Sequence, residues 1–330
     1  MHRFSLLLVA MMVLLAGFGF ASGEQEAGTS AEGESLTFGY VAGVQDPFQV
    51  LIQKGAEEKA KEYDNVEVVA QIPGDWSVDI QAPMWRAMAT RGVDAVFGVP
   101  VDREALIPVL RDVHERGTPV MTVDTFIGDG DYTSGPESFV LSGIATDNIA
   151  AGEMAGHKMA ELIGEEGKVF VSEFQVGVST SDQRTEGFRQ AIAEYPDIEI
   201  VGSASADNDP DVANTQVTAA LRSHDDLAGV YGNNLFACMG AARAVDSAGL
   251  NEAIAMVGFD VDPEIADMIR SGMMDAAVSQ RPFDIGQRAV EVAYNAVVEG
   301  EDVPKDIKLD AVLFTPENID DEDMQVHIYQ

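Results

Sequence analysis

Short apolar runs alternate with amphipathic stretches along almost the whole chain. In the first half the β-branched and apolar runs fall at residues 36–41, 66–70, 95–99, 119–123 and 140–145. In the second half they fall at residues 168–172, 198–203, 227–231, 255–259 and 275–279. Between the runs, apolar residues recur at helical spacing over residues 48–63, 78–91, 103–116, 148–163, 183–195, 211–222, 235–249, 262–272 and 284–298. Strands that alternate with helices of this length predict βαβ units and parallel sheets.

The predicted strands are too many for one comfortable sheet. A break near residues 145–148 suggests two similar halves, so we predict an α/β protein with two doubly wound parallel-sheet lobes. Glycines such as Gly92 and Gly117 fall where a helix has to end before the next strand begins, which supports the assignment.

Polar residues follow several of these predicted strands, and they are spread along the whole chain. They are Asp46, Asp124, Arg184, Asn233, Asp260 and Gln280. In open parallel sheets ligands bind beyond the carboxyl ends of the strands, so distant side chains converge there. Carboxylates accept hydrogen bonds from hydroxyl groups, whereas arginine and amide nitrogens donate to oxygens. The set predicts one pocket for a polyhydroxylated ligand, and a sugar is the natural candidate.

The first residues predict export. A short basic start is followed by a Leu/Met/Val run and then by small residues near Ala21 and Gly23, which is typical of a signal peptide over residues 1–23. A membrane anchor is the alternative, although the run is near the lower length limit for spanning. Residues 24–35 are Gly, Ser, Ala and Glu with little apolar content, so we predict a disordered tether and a periplasmic or other extracytoplasmic location.

The charge excludes several classes of partner. Fifty-six acidic residues against twenty basic ones give a net charge of −36, which argues against nucleic acid and anionic membrane surfaces. Two acidic turns, at residues 129–131 and 207–209, offer oxygens for calcium but do not continue into a calcium-loop pattern. No metal and no cofactor is predicted, since residues 39–43 also lack dinucleotide-loop spacing. The single cysteine, Cys238, is expected to be a small buried hydrophobe.

The residues assembled above resemble the periplasmic sugar-binding proteins of ABC importers, of the ribose-binding type, whose fold is shared with the core of LacI-type repressors. The resemblance covers about residues 36–312. Its motifs, in family order, are residues 46–48 (DPF), 123–124 (VD), 145–148 (ATDN), 184–188 (RTEGF), 232–234 (GNN), 257–260 (VGFD) and 280–286 (QRPFDIG).

The resemblance implies a set of ligand-binding residues. Asp46, Asp124, Arg184, Asn233, Asp260 and Gln280 would hydrogen-bond sugar hydroxyls, and Phe48 would pack on the ring. Thr125 belongs to the set as well, but it stands where the family usually has an arginine. Gln49 and Asn208 stand where the family has aromatic residues, and these departures favour a larger or differently hydroxylated sugar over ribose. Trp76, Phe126 and Phe236 are candidates to replace the lost aromatic contacts, whereas Trp85 is expected in the core.

Structural explanations compete for some of these residues. Asp46 precedes Pro47 and could cap the helix that follows, a role compatible with ligand contact. Arg184 could pair with Glu186. Asn233 could make a turn and Gln280 could satisfy strand backbone. Burial of Asp124 and Asp260 would be costly without a partner, which favours a functional role for both.

The resemblance implies a monomeric solute receptor that closes on a monosaccharide or related polyol and delivers it to an ABC permease. It also implies three hinge crossings, with one lobe from residues 36–146 plus 281–308 and the other from 147–280 plus 309–330. A chemotaxis or sensor receptor remains compatible with the sequence. A carbohydrate-active enzyme has no nucleophile or metal motif in its favour, and a DNA regulator is opposed by the export signal and the acidic charge.

Overall fold

The computed structural model describes residues 35–330. The predicted signal peptide, and the predicted tether apart from its last residue, lie outside the described residues. Within residues 35–330 no helix is long and apolar enough to cross a membrane.

Strands and helices alternate through the described chain. The strands are β1 (Leu36–Val41), β2 (Val66–Gln71), β3 (Ala95–Gly98), β4 (Val120–Val123), β5 (Gly143–Thr146), β6 (Glu166–Glu173), β7 (Asp197–Ser205), β8 (Leu227–Gly232), β9 (Ala255–Phe259), β10 (Ala276–Ser279), β11 (Asp306–Leu309) and β12 (Val312–Phe314). The α-helices are α1 (Pro47–Ala60), α2 (Val78–Arg91), α3 (Ile107–Glu115), α4 (Asn148–Ile163), α5 (Ser179–Ile192), α6 (Pro210–Ser223), α7 (Leu235–Ser247), α8 (Pro263–Ser271) and α9 (Pro282–Val297). A short 3₁₀ helix follows at Glu322–His327.

Two sheets share one strand order. The first runs β2-β1-β3-β4-β5-β11 and the second β7-β6-β8-β9-β10-β12. The prediction of two doubly wound lobes is therefore confirmed. One edge differs from the prediction of parallel sheets, because β12 pairs antiparallel with β10. The short edge strands β11 and β12 were not predicted, since neither carries a long apolar run.

The chain passes between the two sheets three times. It leaves β5 for α4, leaves β10 for α9, and joins β11 to β12. The crossings are bonded to one another: the Asp147 backbone N–H donates to the Leu309 carbonyl at 2.9 Å, and Thr146 Oγ1 donates to Gln280 Oε1 at 2.8 Å. These bonds hold the three crossings side by side as one hinge.

Helix α5 begins earlier than the sequence predicted. It starts at Ser179, four residues before the expected start at residue 183. The sequence pattern missed this first turn because its Ser-Thr-Ser-Asp opening has weak helix propensity. Helix α4 packs closely against it: a Cβ on Gly152 would collide with the Arg184 carbonyl, and one on Gly187 with the Ile149 carbonyl. This close contact fixes the position of Arg184 on α5. Trp85 and Cys238 are fully buried, as predicted.

Candidate ligand-binding site

Two aspartates occupy equivalent positions at the carboxyl ends of the two sheets. Asp124 follows β4 with φ of 63°, and Asp260 follows β9 with φ of 69°. Each donates its backbone N–H to the next strand of its own sheet, Asp124 to Ile144 O at 2.8 Å and Asp260 to Val278 O at 2.7 Å. Left-handed backbone is uncommon outside glycine but is tolerated by Asp. The turn at each strand end thus gives both carboxyl groups the same local backbone.

Both aspartates line one cavity between the two lobes. The space between its side chains, counted together with the open solvent at its mouth, is about 520 Å³. The residues that line it are Val44, Asp46, Phe48, Gln49, Trp76, Asp124, Phe174, Thr180, Arg184, Asn208, Asn234, Leu235, Phe236, Asp260, Gln280 and Tyr329. They come from both lobes, so a molecule bound here would touch both.

The structure brings six of the eight predicted residues to this cavity: Asp46, Phe48, Asp124, Arg184, Asp260 and Gln280. Asn233 and Thr125 do not line it. Asn233 is fully buried, and its amide bonds to Phe174 N at 2.7 Å and to the Ser181 and Thr185 hydroxyls at 3.0 Å. The Thr125 hydroxyl donates to Pro100 O at 2.7 Å. In this structure these two side chains bond to the loops around the site and lie outside the cavity lining.

Arg184 is the cation of the cavity. Its Nε donates to Asn148 Oδ1 at 2.8 Å, and its Nη1 donates to Asn233 O at 3.1 Å and lies 3.8 Å from Asp260 Oδ2. The guanidinium also stacks 3.9 Å from the centre of the Phe259 ring. The alternative partner Glu186 instead accepts from Gln190. Because Asn148 and Asn233 hold the guanidinium on one side, its remaining N–H groups can serve Asp260 or a ligand.

Asp260 is well supplied with hydrogen-bond donors. Its Oδ1 accepts from Gln280 Nε2 at 2.7 Å and from Tyr329 OH at 3.0 Å. Its Oδ2 accepts from Leu235 N at 3.3 Å and faces Arg184. These donors give both oxygens of Asp260 hydrogen-bond partners within the protein itself.

Asp124 has the opposite surroundings. Its Oδ1 is buried and has no hydrogen-bond partner. Burial raises the pKa of Asp124 from an ordinary 3.8 to about 7, opposed by Arg184 and reinforced by the charges of Asp260 and Asp46. An unpartnered buried carboxylate is costly, and a hydroxyl donor from a ligand would remove that cost.

Asp46 caps a helix and also lies in the cavity, so the two roles that the sequence left open are compatible. It caps α1 by accepting from Gln49 N at 2.8 Å, and it lines the cavity. Desolvation raises the pKa of Asp46 from 3.8 to about 7, even though the cap hydrogen bond lowers it. The cap bond from Gln49 is made to Oδ1.

Aromatic side chains form the other wall of the cavity. Trp76 of the first lobe and Phe174 of the second meet edge to face with centroids 5.4 Å apart. Phe236 also lines the cavity, whereas Phe126 does not. Trp76 and Phe236 therefore stand where replacements for the lost aromatic contacts were expected. The sequence analysis did not select Phe174. It directly follows β6, which is the same kind of position that identified Asp124 after β4.

The lobes touch across the mouth of the cavity. Besides the Trp76 and Phe174 rings, the Phe126 N–H donates to Ser179 Oγ at 3.1 Å. Arg103 and Asp182 form an exposed ion pair at 3.7 Å. The described conformation is thus one in which the lobes are in contact on the side away from the hinge.

The acidic turns considered for calcium are explained by local bonds. Asp131 accepts from Thr133 N and Ser134 N, and Asp209 caps α6 by accepting from Asp211 N and Val212 N. In the part of the chain that the structure describes, no group of three or more His, Cys, Asp or Glu side chains is placed to hold a metal ion.

Comparison with known proteins agrees with this architecture. Residues 40–302 match the family model described as periplasmic binding protein domain. The ribose import binding protein of Salmonella typhimurium is 30% identical over 276 residues, which is 82% of this chain and 88% of that protein. An ABC transporter solute-binding protein from Agrobacterium vitis, solved with α-D-tagatopyranose, is 35% identical with a TM-score of 0.87, covering 90% of this chain and all of that one. A second solute-binding protein from Agrobacterium vitis, solved with D-fucose, is 27% identical with a TM-score of 0.82, covering 89% and 100%.

A two-lobed protein with a ligand cavity between its sheets and relatives of this kind is a solute-binding protein of the ABC-importer class. The chain belongs to the periplasmic binding protein family. The matched proteins are binding proteins for transport, so this chain is a receptor and not an enzyme.

Proposed function

We propose that this protein captures a monosaccharide in its pyranose form and delivers it to the membrane subunits of an ABC importer. The observation that carries the proposal is the composition of the cavity. Three carboxyl groups and one arginine face aromatic rings, and one carboxylate oxygen, Asp124 Oδ1, is buried without a donor. Sugar hydroxyls supply donors, and the apolar face of a pyranose ring packs on aromatic side chains.

Among monosaccharides, a hexose fits the departures from the ribose pattern better than a pentose does. Two family aromatics are replaced by Gln49 and Asn208, which line the cavity together with Trp76. The Gln49 oxygen accepts from Tyr40 OH at 2.9 Å and from Gly43 N at 3.2 Å, which leaves its NH₂ group for a ligand oxygen. The relative at 35% identity holds a ketohexose, α-D-tagatopyranose. We therefore place D-tagatose first among the candidates.

Closure of the lobes provides the mechanism of capture. A ligand that touches both lobes binds the closed state better and so shifts the population towards it. Residues 36–146 plus 281–308 move as one lobe, and residues 147–280 plus 309–330 as the other. The protein works as a monomer in the periplasm or its equivalent, after export by the N-terminal signal.

The test is a binding screen on residues 24–330 with D-tagatose, D-fucose, D-allose and D-ribose. A ligand at one hundred times its dissociation constant should raise the free energy of unfolding by about 2.7 kcal/mol, seen as a higher Tm. Titration calorimetry would then give Kd for each sugar that responds. A folded protein that responds to none of these sugars would overturn the proposal.

The same binding measurement on Arg184→Ala tests whether the sugar binds in this cavity. Arg189→Ala is the matched control. Both arginines lie on α5, but Arg189 is half exposed and pairs with Glu173 at 3.6 Å, outside the cavity. We expect Arg184→Ala to weaken sugar binding by at least about 100-fold, since it removes charge-assisted bonds from a buried site. Arg189→Ala should bind as the wild type does.

A further inference from the structure

The side chain of Tyr329 lies deep in the molecule, far along the chain from every other residue of the cavity. It is buried, it lines the cavity, and its hydroxyl makes two hydrogen bonds. The hydroxyl donates to Asp260 Oδ1 at 3.0 Å and accepts from the backbone N–H of Gln280 at 2.8 Å. Tyr329 thus joins the two residues that follow β9 and β10.

These bonds decide which oxygen of Asp260 a ligand can use. A carboxylate oxygen has about two lone-pair sites, and both sites of Oδ1 are taken, one by Tyr329 and one by Gln280 Nε2. Oδ2 has only the longer contact with Leu235 N at 3.3 Å, and it faces Arg184. A ligand hydroxyl therefore has to approach Asp260 at Oδ2, next to the guanidinium.

The same residue is anchored in both lobes. Its backbone N–H donates to Val261 O at 2.8 Å in the second lobe. Its ring belongs to the core of the first lobe and packs edge to face on Phe48 with centroids 5.6 Å apart. The preceding residue, Ile328, belongs to the core of the second lobe. The orientation of the Tyr329 hydroxyl is therefore fixed by packing and not by the ligand.

We propose that Tyr329 is a positioning residue of the sugar site, which holds the Asp260 carboxylate in the one orientation that presents Oδ2 to a ligand hydroxyl. This inference rests on the proposed function. Without the tyrosine hydroxyl, Asp260 keeps Gln280, Leu235 and Arg184 as partners but its carboxylate is held by one hydrogen bond fewer. Part of the binding free energy then goes into ordering that carboxylate.

Tyr329→Phe tests the inference, with Tyr132→Phe as the matched control. Tyr132 is also a buried tyrosine whose hydroxyl accepts from a backbone N–H, that of Ile127 at 3.0 Å, and bonds to a side chain, Thr122 Oγ1 at 3.1 Å. It does not line the cavity. Each change keeps the ring and removes one such hydroxyl, so both should lower Tm. Titration calorimetry with D-tagatose, D-fucose, D-allose and D-ribose should show a Kd about ten times higher for Tyr329→Phe only.

A double-mutant cycle shows whether Tyr329 acts through Asp260. In an Asp260→Asn background, Tyr329→Phe should change Kd by less than about twofold, since the carboxylate it positions is gone. If the wild type binds a sugar of the panel and Tyr329→Phe leaves its Kd unchanged, the role of Tyr329 is overturned and the proposed function is not. The same holds if Tyr132→Phe weakens binding equally. A wild type that binds none of the four sugars overturns the proposed function and the role of Tyr329 with it.

Discussion

Asp124 and Asp260 have the same backbone conformation and equivalent places in their sheets, but their side chains differ in the hydrogen-bond donors around them. Asp260 is held by donors from Gln280, Tyr329 and Leu235. Asp124 Oδ1 has none. One lobe therefore supplies hydrogen-bond donors to both oxygens of its aspartate, whereas the other leaves one buried oxygen without a donor. From this difference we expect Asp260 to fix the orientation of a ligand, and Asp124 to gain more hydrogen-bonding free energy than Asp260 when a ligand binds.

Asp260→Asn should produce the largest change in stability. The asparagine NH₂ group would face hydrogen-bond donors instead of accepting from them. The change also leaves Arg184 without its buried acidic partner. The free energy of unfolding should therefore fall by about 3 kcal/mol. Urea unfolding of the ligand-free protein measures it. Asp262→Asn is a useful control, since Asp262 lies just beyond β9 but caps α8 and does not line the cavity. A loss no greater than that of the control would contradict the comparison.

Asp124→Asn should change stability in the opposite direction. It removes a buried charge that has no partner on Oδ1, so the ligand-free protein should gain about 1–3 kcal/mol at pH 8. Sugar affinity should fall by about tenfold, because a charged acceptor becomes a neutral one. Thermal unfolding and calorimetry on the same samples give both numbers. If both asparagine variants destabilise the protein equally, the lobes do not differ as described.

The pH dependence gives a smaller effect with a definite sign. In the folded protein the pKa values of Asp124 and Asp46 are raised from 3.8 to about 7, so the folded state binds more protons than the unfolded state between these values. The stability that these groups contribute is fully present below pH 3.8 and is lost as the pH rises through about 7. The ligand-free protein should therefore lose stability from pH 6 to pH 8.

Ligand affinity should change in the other direction over the same window. Hydroxyl donors favour ionised carboxylates, so sugar binding should tighten from pH 6 to pH 8 and release protons near pH 7. Calorimetry in two buffers with different heats of ionisation counts these protons. Asp124→Asn should reduce both the release and the slope of stability with pH. Identical slopes in the wild type and the variant would rule out Asp124 as the titrating group.

Added salt should affect the charged surface more than the buried site. Of the changes considered, it has the smallest expected effect on binding. Buried pairs are screened little, so Kd for the sugar should change by less than about twofold between 0.05 and 1 M NaCl. The net charge of −36 is screened, so Tm should rise by about 2–4 °C over the same range. The rise in Tm should be smaller at pH 5, where part of the charge is neutralised. A strong salt dependence of Kd would indicate that the aspartates are open to solvent.

Much of the fold was readable from the sequence because parallel strands carry continuous apolar runs. The run at residues 255–259, for example, coincides with β9. The short edge strands β11 and β12 were not readable, since their burial is partial and their pairing is set by the distant hinge. The early start of α5 was hidden because serine and threonine give little helical signal before the rest of the helix is packed.

The candidate site was readable where a polar residue directly follows a strand. This pattern identified Asp124, Asp260 and Gln280, and all three line the cavity. It also selected Asn233, whose amide is used entirely by the protein, because spacing along the chain does not reveal how many partners a side chain will find. Tyr329 left no signal at all. It reaches the cavity through the return of the chain after β12, a tertiary contact that local pattern does not encode.

The three bonded crossings between the lobes have a mechanical consequence. A single linker would let the lobes twist and slide as well as open. Crossings at three places, tied by Asp147 to Leu309 and by Thr146 to Gln280, leave rotation about one axis as the motion that costs least. We therefore expect each closure to return Asp124 and Asp260 to the same separation and angle. We expect the distance and angle between the two closed lobes to select the ligand.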